Sequence, residues 1–218
     1  MVNGRYILNA DQLLVRNSGS ALASGSLSFG APLRMAKGSV AGISGAEGSG
    51  KSALLQCIFG TCSLPGCEVS VNGVRLTHAY TVFGLVNYLP QVSFMPAQFT
   101  VRKVLALYAV PEDQVFDIFP ELANEAGRLI CDLSGGMERL LSVLVILLAG
   151  TRFSLLDAPF TGIVPMYLPR LYLQIQSARQ AKGILLTACH TADLLPVCDS
   201  IYRLQDGHCD LIHHATSP

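Results

Sequence analysis

The sequence predicts an α/β fold with a largely parallel core, and three observations carry that reading. Over the second half of the 218 residues, apolar strand-like runs alternate with helix-length segments, as expected where helices cross over a parallel sheet. In the first half, Ser39–Ser44 reads as a short buried strand and Ala53–Phe59 as the first turns of a helix. Between them lies the glycine-rich stretch Gly45-Ala46-Glu47-Gly48-Ser49-Gly50-Lys51-Ser52.

In chain order, Arg5–Leu8 and Gln12–Val15 are short strand candidates, and Asn17-Ser18-Gly19-Ser20 carries turn chemistry. Ser26–Phe29 alternates as a strand should, and Pro32 and Gly38 punctuate the next segment. The helix after the glycine loop should end near Gly60, and Cys67–Val71 is a strand closed by the hairpin turn Asn72-Gly73. Val86–Gln91 is a strand that stops at its proline. From Thr100 the apolar spacing turns helical, with Thr100 as N-cap and further helices expected over Glu112–Leu122 and Asn124–Ile130. Next come a helix (Gly136–Ala149), a strand (Phe153–Asp157), a helix (Pro165–Ala181) and a strand (Ile184–Ala188). A short helix from Thr191 and a hairpin around Asp206-Gly207 close the chain, with His213 and His214 expected in a solvated tail.

Bulk composition narrows the function classes. Half the residues are hydrophobic and only 14% are charged, an apolar balance that points to docking on a partner. The longest apolar run, Leu140–Ala149, is about half a membrane span. No signal-peptide core comes after the first residues. A net charge of zero argues against nucleic-acid partners. The seven cysteines match no zinc spacing, and reduced, mostly buried cytoplasmic thiols are expected.

The glycine-rich stretch fits G-x-x-x-x-G-K-[ST] in the context that pattern requires, strand before and helix after. Such a loop aims backbone N–H groups and the positive end of a helix dipole at an anion. Glycines let the backbone approach phosphates closely. Lys51 would reach the terminal phosphates and Ser52 would offer its hydroxyl to Mg²⁺.

A second group of motifs narrows the class. Leu133-Ser134-Gly135-Gly136-Met137 precedes a helix and then the apolar strand ending in Asp157. With Gln91 after a strand and His190 after another, the chain resembles the ATP-binding subunits of ABC transporters over nearly its whole length. Leu155-Leu156-Asp157-Ala158-Pro159-Phe160-Thr161-Gly162 is similar to the Asp-Glu-Pro-Phe-x-Gly segment of short bacterial transport ATPases. The resemblance implies a P-loop NTPase core of ABC ATPase type, a single domain over residues 1–218 with an antiparallel β-subdomain and a short helical insertion over 95–133. It implies ATP and Mg²⁺ as cofactors, with Gly45 to Ser52 on the phosphates and Ser52, Gln91 and Asp157 around the metal. Gln91 and His190 would sense the γ-phosphate. Ser134, Gly135 and Gly136 would complete the site of a second ATP-binding subunit, in a homodimer or heterodimer. A membrane-spanning subunit would hold the assembly on the cytoplasmic face of the cell membrane.

Four departures qualify the resemblance. Ala158 stands where the family has the glutamate that polarises the attacking water, and losing a general base costs a factor of ~10²–10⁴. Val164 replaces an aspartate in the segment crossing to the other subunit, and Met137 replaces a Gln or Glu. An adenine-stacking aromatic is missing near Asn17-Ser18, and Tyr6 is too early by spacing. Together they favour natural degeneracy over an engineered trap. The expectation is a subunit that binds ATP and hydrolyses it slowly, with a non-hydrolysing, nucleotide-dependent scaffold or regulatory subunit as the alternative.

Overall fold

The computed structural model describes residues 11–17 and 27–214. The expected strand Arg5–Leu8, Tyr6 and most of the Asn17–Ser20 turn lie outside them. Eleven strands in two sheets and six α-helices make up the described residues. A four-stranded antiparallel sheet holds β1 (Gln12–Asn17), β3 (Leu33–Ala36), β5 (Cys67–Val71) and β6 (Val74–Leu76), in the order β3-β1-β5-β6. The Asn72-Gly73 turn between β5 and β6 has φ of 47° and 80°, the left-handed pair a tight hairpin needs.

The second sheet has seven strands in the order β2-β11-β10-β4-β9-β8-β7. Its parallel centre is β4 (Val40–Ser44), β7 (Val86–Leu89), β8 (Phe153–Leu156), β9 (Gly183–Ala188) and β10 (Ser200–Gln205). β11 (His208–His214) pairs antiparallel with β10, and β2 (Ser28–Phe29) pairs with β11. His213 and His214 therefore belong to a strand and not to a tail, because the Asp206-Gly207 turn sends the chain straight back along β10.

Alternation along the central strands divides the core into two layers. Val40, Leu156, Ile184, Leu186 and Ile201 pack toward the helices α5 (Gly135–Leu148) and α6 (Leu168–Ala178). Ala41, Ile43, Phe153, Leu155, Leu185 and Leu204 pack toward the antiparallel sheet and α1 (Lys51–Phe59). Both faces of the sheet are covered, so its strands read as apolar runs.

The insertion is shorter in helix than expected. α2 (Val101–Leu107) begins at Thr100, whose hydroxyl accepts from Lys103 N at 3.2 Å. Glu112–Leu122 divides into α3 (Asp113–Phe116) and α4 (Pro120–Asn124). The helix expected over Asn124–Ile130 is absent: turns carry the chain into a bridge between Leu129 and Thr100 and a 3-10 turn at Ile130–Asp132. Ala126 and Ile130 are still buried, which explains the helical spacing of their apolar side chains. Pro165–Tyr167 and Thr191–Asp193 are likewise 3-10 turns. All seven cysteines are free, but Cys131 and Cys189 are exposed, so the thiols are less uniformly buried than composition suggests.

Lys182, only 4% exposed, donates to Ala149 O at 2.5 Å and Ser154 Oγ at 3.2 Å, where it caps the end of α5. Burial lowers its ammonium from 10.5 to about 8. The unfolded chain then binds the proton more tightly, so this group's contribution to stability rises with pH between about 8 and 10.5. In urea unfolding, the stability of wild type relative to Lys182→Met is expected to improve by roughly 2 kcal/mol from pH 7 to pH 10. A difference that stays constant with pH would contradict this.

Candidate functional site

The site begins with a helix that lacks a cap. Gly50, with φ 97°, turns the chain into α1, and no side chain caps the helix start. The N–H groups of its first turn are therefore free to meet an anion. Gly45 must be glycine, because a Cβ there would lie 2.4 Å from Leu204 O and 2.7 Å from Ser49 Oγ. Lys51 is 6% exposed and curls back over the loop, donating to Gly45 O at 2.6 Å, Ala46 O at 2.8 Å and Ser49 Oγ at 3.4 Å.

The ends of β7 and β8 bring the next groups beside this loop. Asp157 comes directly after β8 and is fully buried, its carboxylate accepting from Thr187 Oγ1 at 2.7 Å and Tyr88 OH at 3.2 Å. Burial and the neighbouring Asp157 charge push the Tyr88 phenol up to about 12, so it remains a donor. Gln91 Nε2 bridges Ser52 Oγ at 3.2 Å and Asp157 Oδ1 at 3.3 Å. Ser52 and Asp157 thus meet at the Gln91 amide, and their hydroxyl and carboxylate are hard oxygen ligands of the kind Mg²⁺ takes when phosphates complete its shell. Among the described residues no cluster of three or more His, Cys, Asp and Glu is present.

A cavity of about 660 Å³ opens over these groups, lined by Glu47 to Ser52, Gln91, Arg139, Ala158, Thr161 and Cys189. His190 lies outside it. It lines an adjoining cavity of about 680 Å³ on the other flank of the loop, with Ser44, Gly45, Ala46 and Arg203 to Asp206. Ala158 has φ 47° and its N–H donates to Thr187 Oγ1 at 2.8 Å, so an uncharged methyl stands at the cavity wall.

Ser134, Gly135 and Gly136 line neither cavity. Ser134 caps α5 by accepting from Met137 N at 3.3 Å, which leaves the N–H groups of the two glycines uncapped. A Cβ on Gly136 would lie 2.9 Å from Gly162 O, whereas Gly135 faces open space. Val164 lies beside Gly136 and is 46% exposed.

Three residues of the site are not apparent from the sequence. Arg139, on the second turn of α5, donates to Pro90 O at 2.7 Å, Asp157 O at 2.5 Å and Ala158 O at 3.0 Å. Burial lowers its guanidinium, although the nearby Asp157 carboxylate opposes the shift. Thr187 orients Asp157 and Ala158, and Tyr88 closes the other side of the carboxylate. The only signals that point to them are an arginine as the sole base of an apolar helix and a threonine inside an apolar strand.

Comparison with known proteins agrees with this geometry. The family model for ABC transporters matches residues 30–161. A probable branched-chain amino acid transport ATP-binding protein, LivF, of Archaeoglobus fulgidus is 31% identical over 186 residues, covering 78% of each chain. The Nod factor export ATP-binding protein I of Rhizobium meliloti is 28% identical, covering 82% of this chain and 57% of its own. The fold superposes on a solved ATP-binding subunit of an ABC transporter with a TM-score of 0.74 at 23% identity, covering 90% of this chain and 87% of that one. A bacterial Atm1-family ABC exporter with ATP bound gives a TM-score of 0.75 at 16% identity, covering 92% of this chain and 38% of the exporter. The chain belongs to the ABC transporter family and is an ATP-binding subunit of that family.

Proposed function

We propose that this chain binds ATP·Mg²⁺ at the cavity above α1, dimerises around it, and hydrolyses it slowly. The observation that carries the reading is the convergence of an uncapped helix start, Lys51, Ser52 and Gln91 on one cavity whose wall at position 158 is a methyl group, with the buried Asp157 carboxylate directly behind Gln91. Gly45 to Ser52 cradle the phosphates, with Lys51 on the β- and γ-phosphates. Ser52, Gln91 and Asp157 hold Mg²⁺, which would neutralise phosphate charge. Gln91 and His190 respond to the γ-phosphate from the two flanks of the loop. Ser134, Gly135 and Gly136, free of their own cavity, present their N–H groups to the nucleotide of a second ATP-binding subunit, identical or different.

No helix among the described residues is long and apolar enough to cross a membrane. Docking of residues 95–133 on a membrane-spanning subunit would place the chain peripherally on the cytoplasmic face of the cell membrane. Exposed Val92 and Leu107, near and within that insertion, are apolar surface suited to such a partner. Ala158 favours a second reading as well: a regulatory subunit that retains ATP while its α5 start serves the active site of a partner possessing its own glutamate.

Calorimetry with ATP, with and without Mg²⁺, alongside steady-state phosphate release, tests the reading. Expected are saturable ATP binding strengthened by Mg²⁺ and turnover far below the ~10 s⁻¹ of an ordinary enzyme. Absence of ATP binding overturns the site, and turnover at an ordinary rate overturns the slow-hydrolysis claim.

A further inference from the structure

Arg139 is, with Lys51, one of two cationic residues on the wall of the nucleotide cavity among the described residues. Its position is built rather than incidental. Three of its donor contacts go to main-chain oxygens at the ends of β7 and β8, namely Pro90, Asp157 and Ala158. A guanidinium has five N–H groups, so two are left without a partner among the described residues. No carboxylate hydrogen-bonds it: the Asp157 carboxylate is taken by Thr187, Tyr88 and Gln91. A half-buried cation with spare donors and no bonded counter-charge, on the wall of a cavity for a polyanion, is completed by that anion. Because its planar head is already pinned on one edge, little side-chain freedom is left to lose on contact.

We propose that Arg139 is a phosphate-binding residue of this chain's own nucleotide site, gripping the terminal phosphate of a nucleoside triphosphate beside the uncharged position 158. The proposal rests on the nucleotide-binding reading above and adds a direction to it. A site with a methyl at 158 and a cation next to it discriminates the triphosphate from the diphosphate and retains the former.

Affinities of the purified chain for ATP and ADP in the presence of Mg²⁺ provide the test. Arg139→Gln keeps amide donors for the carbonyls and removes the charge; ATP affinity is expected to fall about tenfold and ADP affinity less than about threefold. Arg139→Lys keeps the charge and should keep most of the preference for ATP. Arg102→Ala, an exposed arginine paired with Glu112, should bind both nucleotides as wild type does. Equal losses for ATP and ADP in Arg139→Gln, or no loss, overturn the proposal and leave Arg139 as a tether of the strand ends. Independently of any variant, ATP should protect Arg139 of the wild-type chain from phenylglyoxal modification better than ADP does, and equal protection counts against the proposal. A wild-type chain that binds neither nucleotide refutes the nucleotide-binding reading itself and this proposal with it.

Discussion

Replacing Lys51 with alanine is expected to lower ATP affinity by about a hundredfold or more, the largest single effect at this site. The ammonium is nearly withdrawn from water and donates to three oxygens of its own loop, so it sits where it can exchange carbonyl contacts for phosphate contacts without crossing open solvent. Truncating one partner of a desolvated, hydrogen-bonded charge pair costs ~2–5 kcal/mol, and about 1.4 kcal/mol is a factor of ten. The same substitution removes three hydrogen bonds that Lys51 makes within its own loop, so a small fall in melting temperature should accompany the loss. Calorimetry with ATP measures the first effect and a thermal melt the second. Binding within threefold of wild type would mean that the loop amides alone carry the phosphate.

The second large effect is a gain. Glutamate at position 158 restores a carboxylate at the cavity wall, yet the single change Ala158→Glu is expected to raise turnover only modestly. Arg139 donates to the carbonyl of that same residue, and a cation within ~4–6 Å lowers a carboxylate's pKa by 1–3 units. A more acidic carboxyl is a weaker base toward the attacking water. The double variant Ala158→Glu, Arg139→Gln should therefore turn over faster than the single one, with a gain of ~10²-fold or more over wild type. Because Arg139 also grips the triphosphate, KM should rise together with kcat. Phosphate release measured across ATP concentrations separates the two. A single Ala158→Glu variant already as fast as the double one would remove Arg139 from this account.

The legible parts of the fold are those whose causes are local. The glycine loop declares itself because Gly45 faces a carbonyl, Gly50 adopts a left-handed φ and Lys51 and Ser52 are adjacent to it in sequence. The hairpin turns at Asn72-Gly73 and Asp206-Gly207 are equally local. Arg139, Tyr88 and Thr187 stay hidden in the sequence because their contacts with Asp157 span 18, 69 and 30 residues, beyond any periodicity. The helix expected over Asn124–Ile130 does not form for a related reason: Ala126 and Ile130 are both buried, Ile130 within a core drawn from distant parts of the chain, and burial of that spacing does not require helical backbone. Ala158 is recognisable as a departure from the sequence alone, but that a cation stands beside it needs the fold.

The contact between Gly136 and the carbonyl of Gly162 has a wider meaning. Residues 158–164 form a short strap with one end on the nucleotide cavity, at Ala158, and the other against the opening turn of α5, beside Val164. Without a Cβ on Gly136 to hold them apart, strap and helix start lie in close contact, the arrangement by which a displacement at the cavity end would reach the surface end. Occupancy can then be announced at that surface without any bond being broken. Under the function proposed above, the message and the chemistry would be separable: a subunit that kept its nucleotide intact would still tell its neighbour that the nucleotide is there.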